Sequence, residues 1–142
     1  MQDKESRQQY VKMSRVYINL AKVTNKRLNH FPAHERQGLA RIIRDKLYQL
    51  CEYQVEAQKR YRKSTALTNL DITHQQLRVH LFVAKEEGYF QHPACRNNSA
   101  TPAQLNQDRY DALTTIVDEY GKFIGGWIKK EKTRDAARSS SA

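Results

Sequence analysis

Four stretches of this chain space their apolar residues three and four apart, and that spacing limits the possible folds more than any other feature. In residues 10 to 28 the recurring set is Tyr10, Met13, Tyr17, Leu20, Ala21, Thr24 and Leu28. Lys12, Arg15, Lys22 and Lys26 fall on the opposite side, so the stretch reads as one helix with an apolar stripe and a basic face. Pro32 disfavours helix for the residue before it, and the helix is expected to end there. The second stretch runs from about Ala33 to Arg62, with Leu39, Ile42, Ile43, Leu47, Leu50, Tyr53, Ala57 and Tyr61 as its stripe. Arg41, Arg44, Lys59 and Arg62 lie on its far side.

Ser64 or Thr65 is placed to cap the third helix, whose stripe is Leu67, Leu70, His74, Leu77, Leu81 and Ala84. Val79, Phe82 and Val83 fall off that stripe. A helix apolar on two faces needs two surfaces to pack against; one is the core, and the other is expected to be a partner subunit. Gly88 is suited to ending this helix, and "GYFQHPACRNNSATPAQ" reads as the clearest loop in the chain. Thr101 as N-cap and Pro102 in the first turn start the fourth helix. Its stripe is Leu105, Leu113, Ile116, Val117, Tyr120, Ile124, Trp127 and Ile128. After Lys132 the segment "TRDAARSSSA" offers no stripe, so residues 133–142 are expected to be a disordered basic tail behind a bundle domain spanning 1–132. Four helices, short links and no strand signal predict an all-α, up-down-up-down four-helix bundle.

Charge narrows the function classes. The chain has 142 residues and a formal net charge of +10, with a pI near 9.8. Such a protein ordinarily meets something acidic: nucleic acid, an acidic protein or an anionic surface. No apolar run is long enough to span a membrane, and "MQDKESRQQY" has no signal-peptide core, so a cytoplasmic protein is expected. Two cysteines, Cys51 and Cys95, make no disulfide framework. The candidate nucleic-acid contacts are Lys12, Arg15, Lys22 and Lys26 on the first helix and Arg41 and Arg44 on the second. Lys129, Lys130, Lys132 and Arg134 follow at the end of the fourth. Each phosphate contact adds a salt-sensitive, sequence-independent increment to binding. Any one cation in such a run is ordinarily part of a solvated face, and Lys129 and Lys130 also suit a helix C-terminus.

Catalytic and metal constellations are not apparent. A di-iron bundle needs paired Glu and Glu-x-x-His motifs, and the nearest pattern, Asp71 to His74, occurs once. His74 sits in an apolar stripe and reads as a hydrogen-bonded core histidine. His30 and His34 are separated by Pro32, and His92 and Cys95 lie in the loop, so neither pair has helical ligand geometry. No phosphate loop or nucleophile elbow appears. The expectation is no enzyme, no cofactor and no metal.

One stretch resists the helical reading. "VDEYGKFIGGWIKK", residues 117 to 130, holds three of the five glycines beside the only tryptophan. Each glycine inside a helix costs about 1 kcal/mol against alanine. Gly121 and Gly125, four residues apart, fall beside the stripe and are expected to admit a neighbouring backbone, with Trp127 sharing in close packing. Gly126 falls on the polar side, where it relaxes the helix or leaves room for a partner.

The same stretch resembles the closing motif of the Avd-like four-helix-bundle family, the accessory variability determinants of diversity-generating retroelements. That motif has an acidic residue, a glycine, two apolar residues and Gly-Gly-Trp or Gly-Ser-Trp. "FPAHERQGLARIIRDKLYQLCEYQVEAQ", residues 31–58, is similar to the family's Phe-Pro-x-x-x-Arg segment, and "LRVHLFVAKEEGYF", residues 77–90, to its leucine-rich third helix. The three occur in family order. The resemblance implies a basic homopentameric ring of bundles that binds the retroelement's reverse transcriptase and its structured template RNA. It implies support for mutagenic cDNA synthesis, without catalytic residues of its own. A related branch, encoded within ribosomal RNA intervening sequences, has a similar bundle; the alternative is therefore an interaction protein with no polymerase partner. The positive charge favours the retroelement branch.

Overall fold

The computed structural model describes residues 4–94 and 100–141. Among these residues there are four α-helices and no strand: α1 (Lys4–Leu28), α2 (Leu39–Lys59), α3 (Ser64–Glu86) and α4 (Pro102–Ser141). Single 3-10 turns occupy Ala33–Glu35 and Tyr89–Gln91. α1 packs on α2 and α4, and α3 packs on the same two helices, so α1 and α3 lie diagonally across the bundle.

The stripes become the core. Met13, Tyr17, Leu20, Thr24 and Leu28 of α1 are buried, as are all six stripe residues of α3. Leu113, Val117, Tyr120 and Ile124 supply α4's share. α2 needs correction at both ends. It begins at Leu39, not Ala33, because Gly38 has non-helical angles (φ −102°, ψ −111°) and Pro32 opens only a 3-10 turn. The Glu35 carboxylate reaches forward to accept the Leu39 N–H at 3.3 Å, meeting one orphan donor of the helix start. α2 ends at Lys59, with Arg60 extended, so Tyr61 lies outside the helix and is 81% exposed rather than part of a stripe. Ile42 is exposed as well.

The junctions are held by side chains. The Lys63 ammonium donates to the carbonyl oxygens of Ala57 (2.7 Å), Gln58 (3.1 Å) and Arg60 (2.9 Å), closing the C-terminus of α2. Lys63 is also the residue that precedes α3, and neither Ser64 nor Thr65 caps that helix. Gly88 ends α3 with φ +74°, a conformation that only glycine adopts freely. Phe90 then turns inward and is buried against Phe31 and Tyr110. Asn106 ties this corner: its carbonyl accepts the Phe90 N–H and its amide donates to Lys85 O, both at 2.9 Å. Thr101 caps α4 as expected, accepting the Gln104 N–H at 3.1 Å.

The expected disordered tail is helix up to Ser141. Glu131, 4% exposed, accepts from Arg134 at 3.2 Å and faces Arg138 at 3.8 Å, and Arg138 pairs with Asp135 at 3.0 Å. The Arg138 guanidinium also sits 5.6 Å over the Tyr61 ring. Pairs one turn apart, together with Ala136 and Ala137, extend the helix without an apolar stripe.

A polar layer crosses the middle of the core. Tyr120 Oη donates to Gln54 Oε1 at 2.7 Å, and Gln54 Nε2 donates to Ser14 Oγ at 2.9 Å. Tyr17 Oη donates to the Leu47 carbonyl at 2.7 Å. His74 Nε2 lies 2.9 Å from the Val117 carbonyl and, since a carbonyl only accepts, carries the proton. His74 is thus the core histidine that its stripe position predicts. Its pKa is lowered by burial, an effect the Val117 hydrogen bond only opposes.

Gly121 faces this ring. A Cβ there would stand 2.8 Å from His74 Cε1 and 3.0 Å from Nε2. The close approach expected at this position exists, made by a buried imidazole. Gly125 needs correction: nothing lies within 4 Å of a Cβ built there, and the residue is exposed. The four-residue spacing carries it past the α3 contact to where α4 faces solvent. Gly126 is equally open.

Candidate nucleic-acid interface

Lys12, Arg15, Lys22 and Lys26 are all exposed on the outward half of α1. At 100° per residue the four fall within an arc of about 80°, centred opposite the buried stripe, and along the axis they span about 21 Å. This is a basic row, interrupted between Arg15 and Lys22 by the neutral Asn19. Val11 and Ile18 are exposed on the same helix, and Tyr48 and Val55 on the neighbouring α2, so the row borders apolar surface.

The α2 cations separate. Arg41 is exposed, whereas Arg44 is half-buried and donates to Asn25 Oδ1 of α1 (3.2 Å) and to Oδ1 of Asn29, just past the end of α1 (3.4 Å). Asn25 also donates to Tyr48 Oη at 3.2 Å. Arg44 thereby fastens the C-terminal end of α1 to α2, with its Nε and one Nη engaged. The α4 cations divide between two sides of the helix. Lys129 and Lys132 flank a shallow groove with Gly125 and Ile128. Lys130 and Arg134 turn toward a deeper cavity between α1 and α4, where Lys130 Nζ donates to Ser6 Oγ at 2.8 Å. The ten candidate cations therefore form one row of four on α1, two pairs on α4, and Arg41 and Arg44 apart from each other.

The cavity of about 600 Å³ was not legible in the sequence. Tyr10, Met13, Phe123 and Trp127 form its apolar part, with Tyr10 and Trp127 in edge-to-face contact at 6.1 Å. Trp127 was expected in close packing, and it is partly buried against the core.

On the diagonal helix, Val79 (51%) and Phe82 (48%) are exposed together with Val83 and Ile72. The first three match the off-stripe set, and Ile72 extends it by two turns. Arg78, on the flank of this helix, pairs with Asp118 of α4 and so leaves the outer face uncharged at that level.

The model of the bAvd-like family matches residues 7–131, a span that takes in the cores of all four helices. The chain belongs to the bAvd-like family. No curated protein and no solved structure matches the chain. The bAvd-like span ends at the buried Glu131, so it includes the α1 row, Lys129 and Lys130 and leaves Lys132 and Arg134 outside.

Among the described residues no three His, Cys, Asp or Glu side chains come together in a metal-binding group. His30 and His34 are both exposed, and the His34 ring meets that of Tyr89 at 6.3 Å. Cys95, expected beside His92 in the loop, lies outside the described residues. Among the described residues no helix is long and apolar enough to cross a membrane.

Proposed function

We propose that this protein is a non-catalytic accessory subunit of a diversity-generating retroelement reverse transcriptase, acting in the cytoplasm as a homopentameric ring. The observation that carries this reading is membership of the bAvd-like family across nearly the whole bundle. The arrangement of the surface supports it: a basic row on α1 and a largely apolar stretch of α3 from Ile72 to Val83 lie on opposite sides of one small molecule. A basic row about 21 Å long suits the phosphates of a structured RNA. The α3 face suits contact with a second copy, since its four exposed apolar side chains gain by leaving water. A ring then multiplies a modest RNA contact, because later contacts form at high effective concentration. One surface of the assembly docks the polymerase and the basic faces hold the template RNA, so the protein acts by scaffolding rather than by chemistry.

The test is reconstitution with the retroelement's reverse transcriptase and template RNA. The protein is expected to co-elute with the polymerase and to stimulate cDNA synthesis. A polymerase that neither binds the protein nor changes its cDNA yield overturns the proposal and leaves an interaction protein without a polymerase partner.

A further inference from the structure

The cavity between α1 and α4 is a feature that a charged scaffold does not explain. Its apolar part is mainly aromatic, from Tyr10, Phe123 and Trp127. Its rim mixes Lys122, Lys130 and Arg134 with Glu5 and Glu119. Two nearby charges are already engaged: Lys63 holds three backbone carbonyls, and Arg134 is paired with Glu131. Lys122, exposed, and Lys130, whose partner is the neutral Ser6 hydroxyl, are the cations best placed to meet a phosphate.

Gly126 adds a second, independent observation. It sits in the middle of a 40-residue helix, where glycine is costly, and no packing requires it, because a Cβ there would meet nothing within 4 Å. What it lines is this cavity, next to Trp127. Any larger side chain at that position projects into the open volume.

We infer that this cavity receives an unstacked nucleobase of single-stranded RNA, with Lys122 and Lys130 on its phosphate. The aromatic lining matches a π-face of any base, which hydrogen-bond readout alone does not. The volume of about 600 Å³ is ample for one nucleotide. The carboxylates on the rim suit the amino and imino donors of a base edge and argue against a site for a bare polyphosphate. A duplex keeps its bases stacked and inside, so the cavity distinguishes single strands from double strands, which the α1 row does not. This inference rests on the RNA-binding part of the proposed function and gives it a second, chemically different contact.

Trp127 is the only tryptophan in the chain, so intrinsic fluorescence reports on this site. The experiment titrates the full-length protein with a single-stranded RNA of about ten nucleotides, and separately with the duplex of that sequence, in about 50 mM salt. The single strand is expected to quench the tryptophan and the duplex is not. Gly126→Leu, which fills the cavity from a position without neighbours, is expected to weaken single-strand binding about tenfold, to leave duplex binding unchanged and to keep or raise the melting temperature. Lys122→Glu, on the exposed rim, is the second variant and is expected to shift the same selectivity in the same direction. Equal single-strand affinity in wild type and both variants, with RNA bound but no tryptophan signal, overturns the cavity as a base site while the RNA reading stands. Binding of neither RNA form overturns both.

Discussion

On α1 the outward positions between residues 12 and 26 hold four exposed cations, whereas on α3 those between 72 and 83 hold Ile72, Gln75, Gln76, Val79, Phe82 and Val83. The two helices are of similar length and bury similar stripes, and each touches both α2 and α4. Their inner halves are thus interchangeable in kind, because a bundle core asks only for apolar volume at the right period. Their outer halves are under no such demand, and there the two differ in charge, although α1 also exposes Ile18. In a chain of net charge +10, a helix face whose nearby cation, Lys85, lies folded over the Phe82 ring at 5.8 Å is as telling as a face with four. A solvated α3 face would be expected to share the charge of the rest of the surface; one that meets a second copy must not repel it.

The largest effect should come from putting charge on the α3 face. Val79→Glu with Phe82→Glu removes two apolar side chains, each contributing about 1.5–3 kcal/mol when buried, and places like charges at a symmetric contact. Association is expected to weaken by at least about a hundredfold, with light scattering falling toward the 16.6 kDa monomer and helicity retained. If wild type itself scatters as a monomer, the contrast between the two faces needs another explanation. Reversing α1 should do the opposite. Arg15→Glu, Lys22→Glu and Lys26→Glu together are expected to leave the mass unchanged and to lower RNA affinity about tenfold or more at low salt. The slope of log affinity against log salt should become shallower by about 3. Unchanged RNA binding with helicity intact would move the RNA surface off α1.

Between the two faces lies the α3–α4 contact, which the glycines test. Gly121→Ala is expected to destabilise the fold by about 1–3 kcal/mol, since the added Cβ stands 2.8 Å from the buried His74 ring and moving that ring strains its hydrogen bond to Val117. Gly125→Ala, with open space around it, is expected to stabilise by up to about 1 kcal/mol. Thermal melts of the two single variants should therefore move in opposite directions, and a rise in both would mean that the imidazole is less confined than its hydrogen bond implies.

The smallest effect concerns pH. Burial holds the His74 pKa below its ordinary 6.5, so below that value the unfolded chain takes up a proton that the folded protein resists. Protons bound by the unfolded state exceed those bound by the folded state there, and stability falls as pH drops below about 6.5. Asp71, Asp118 and Arg78 are the charged groups around the ring; the carboxylates ease protonation and the guanidinium opposes it. His74→Gln should flatten the acid side of a melting-temperature profile taken from pH 7.5 to 5. A profile with no slope in wild type would show that the imidazolium is accommodated.

Several features are legible in the sequence alone. The α3 stripe was complete, the Thr101 cap and the Gly88 terminus were in place, and the off-stripe Val79, Phe82 and Val83 are exposed. Gln54 was missed because its type points to solvent; only Tyr120 and Ser14, brought from two other helices, make its burial affordable. The helical end of α4 was missed because its support is charge pairing and a cation over Tyr61 rather than an apolar stripe. Gly121 and Gly125 looked equivalent on a wheel, yet only one of them faces a neighbour.

The sequence by itself determined the number of helices, the stripe each buries and the basic half of α1, because periodicity is a local property that reports which side of a helix is wet. Tertiary structure alone decided that the basic and apolar faces lie diagonally opposed. It alone decided that His74 fills the notch at Gly121, and that Tyr10, Phe123 and Trp127 surround an open cavity beside Gly126. Those relations join residues separated by 40 positions or more in the chain, and they exist only once the stripes of four helices have been pressed into one core.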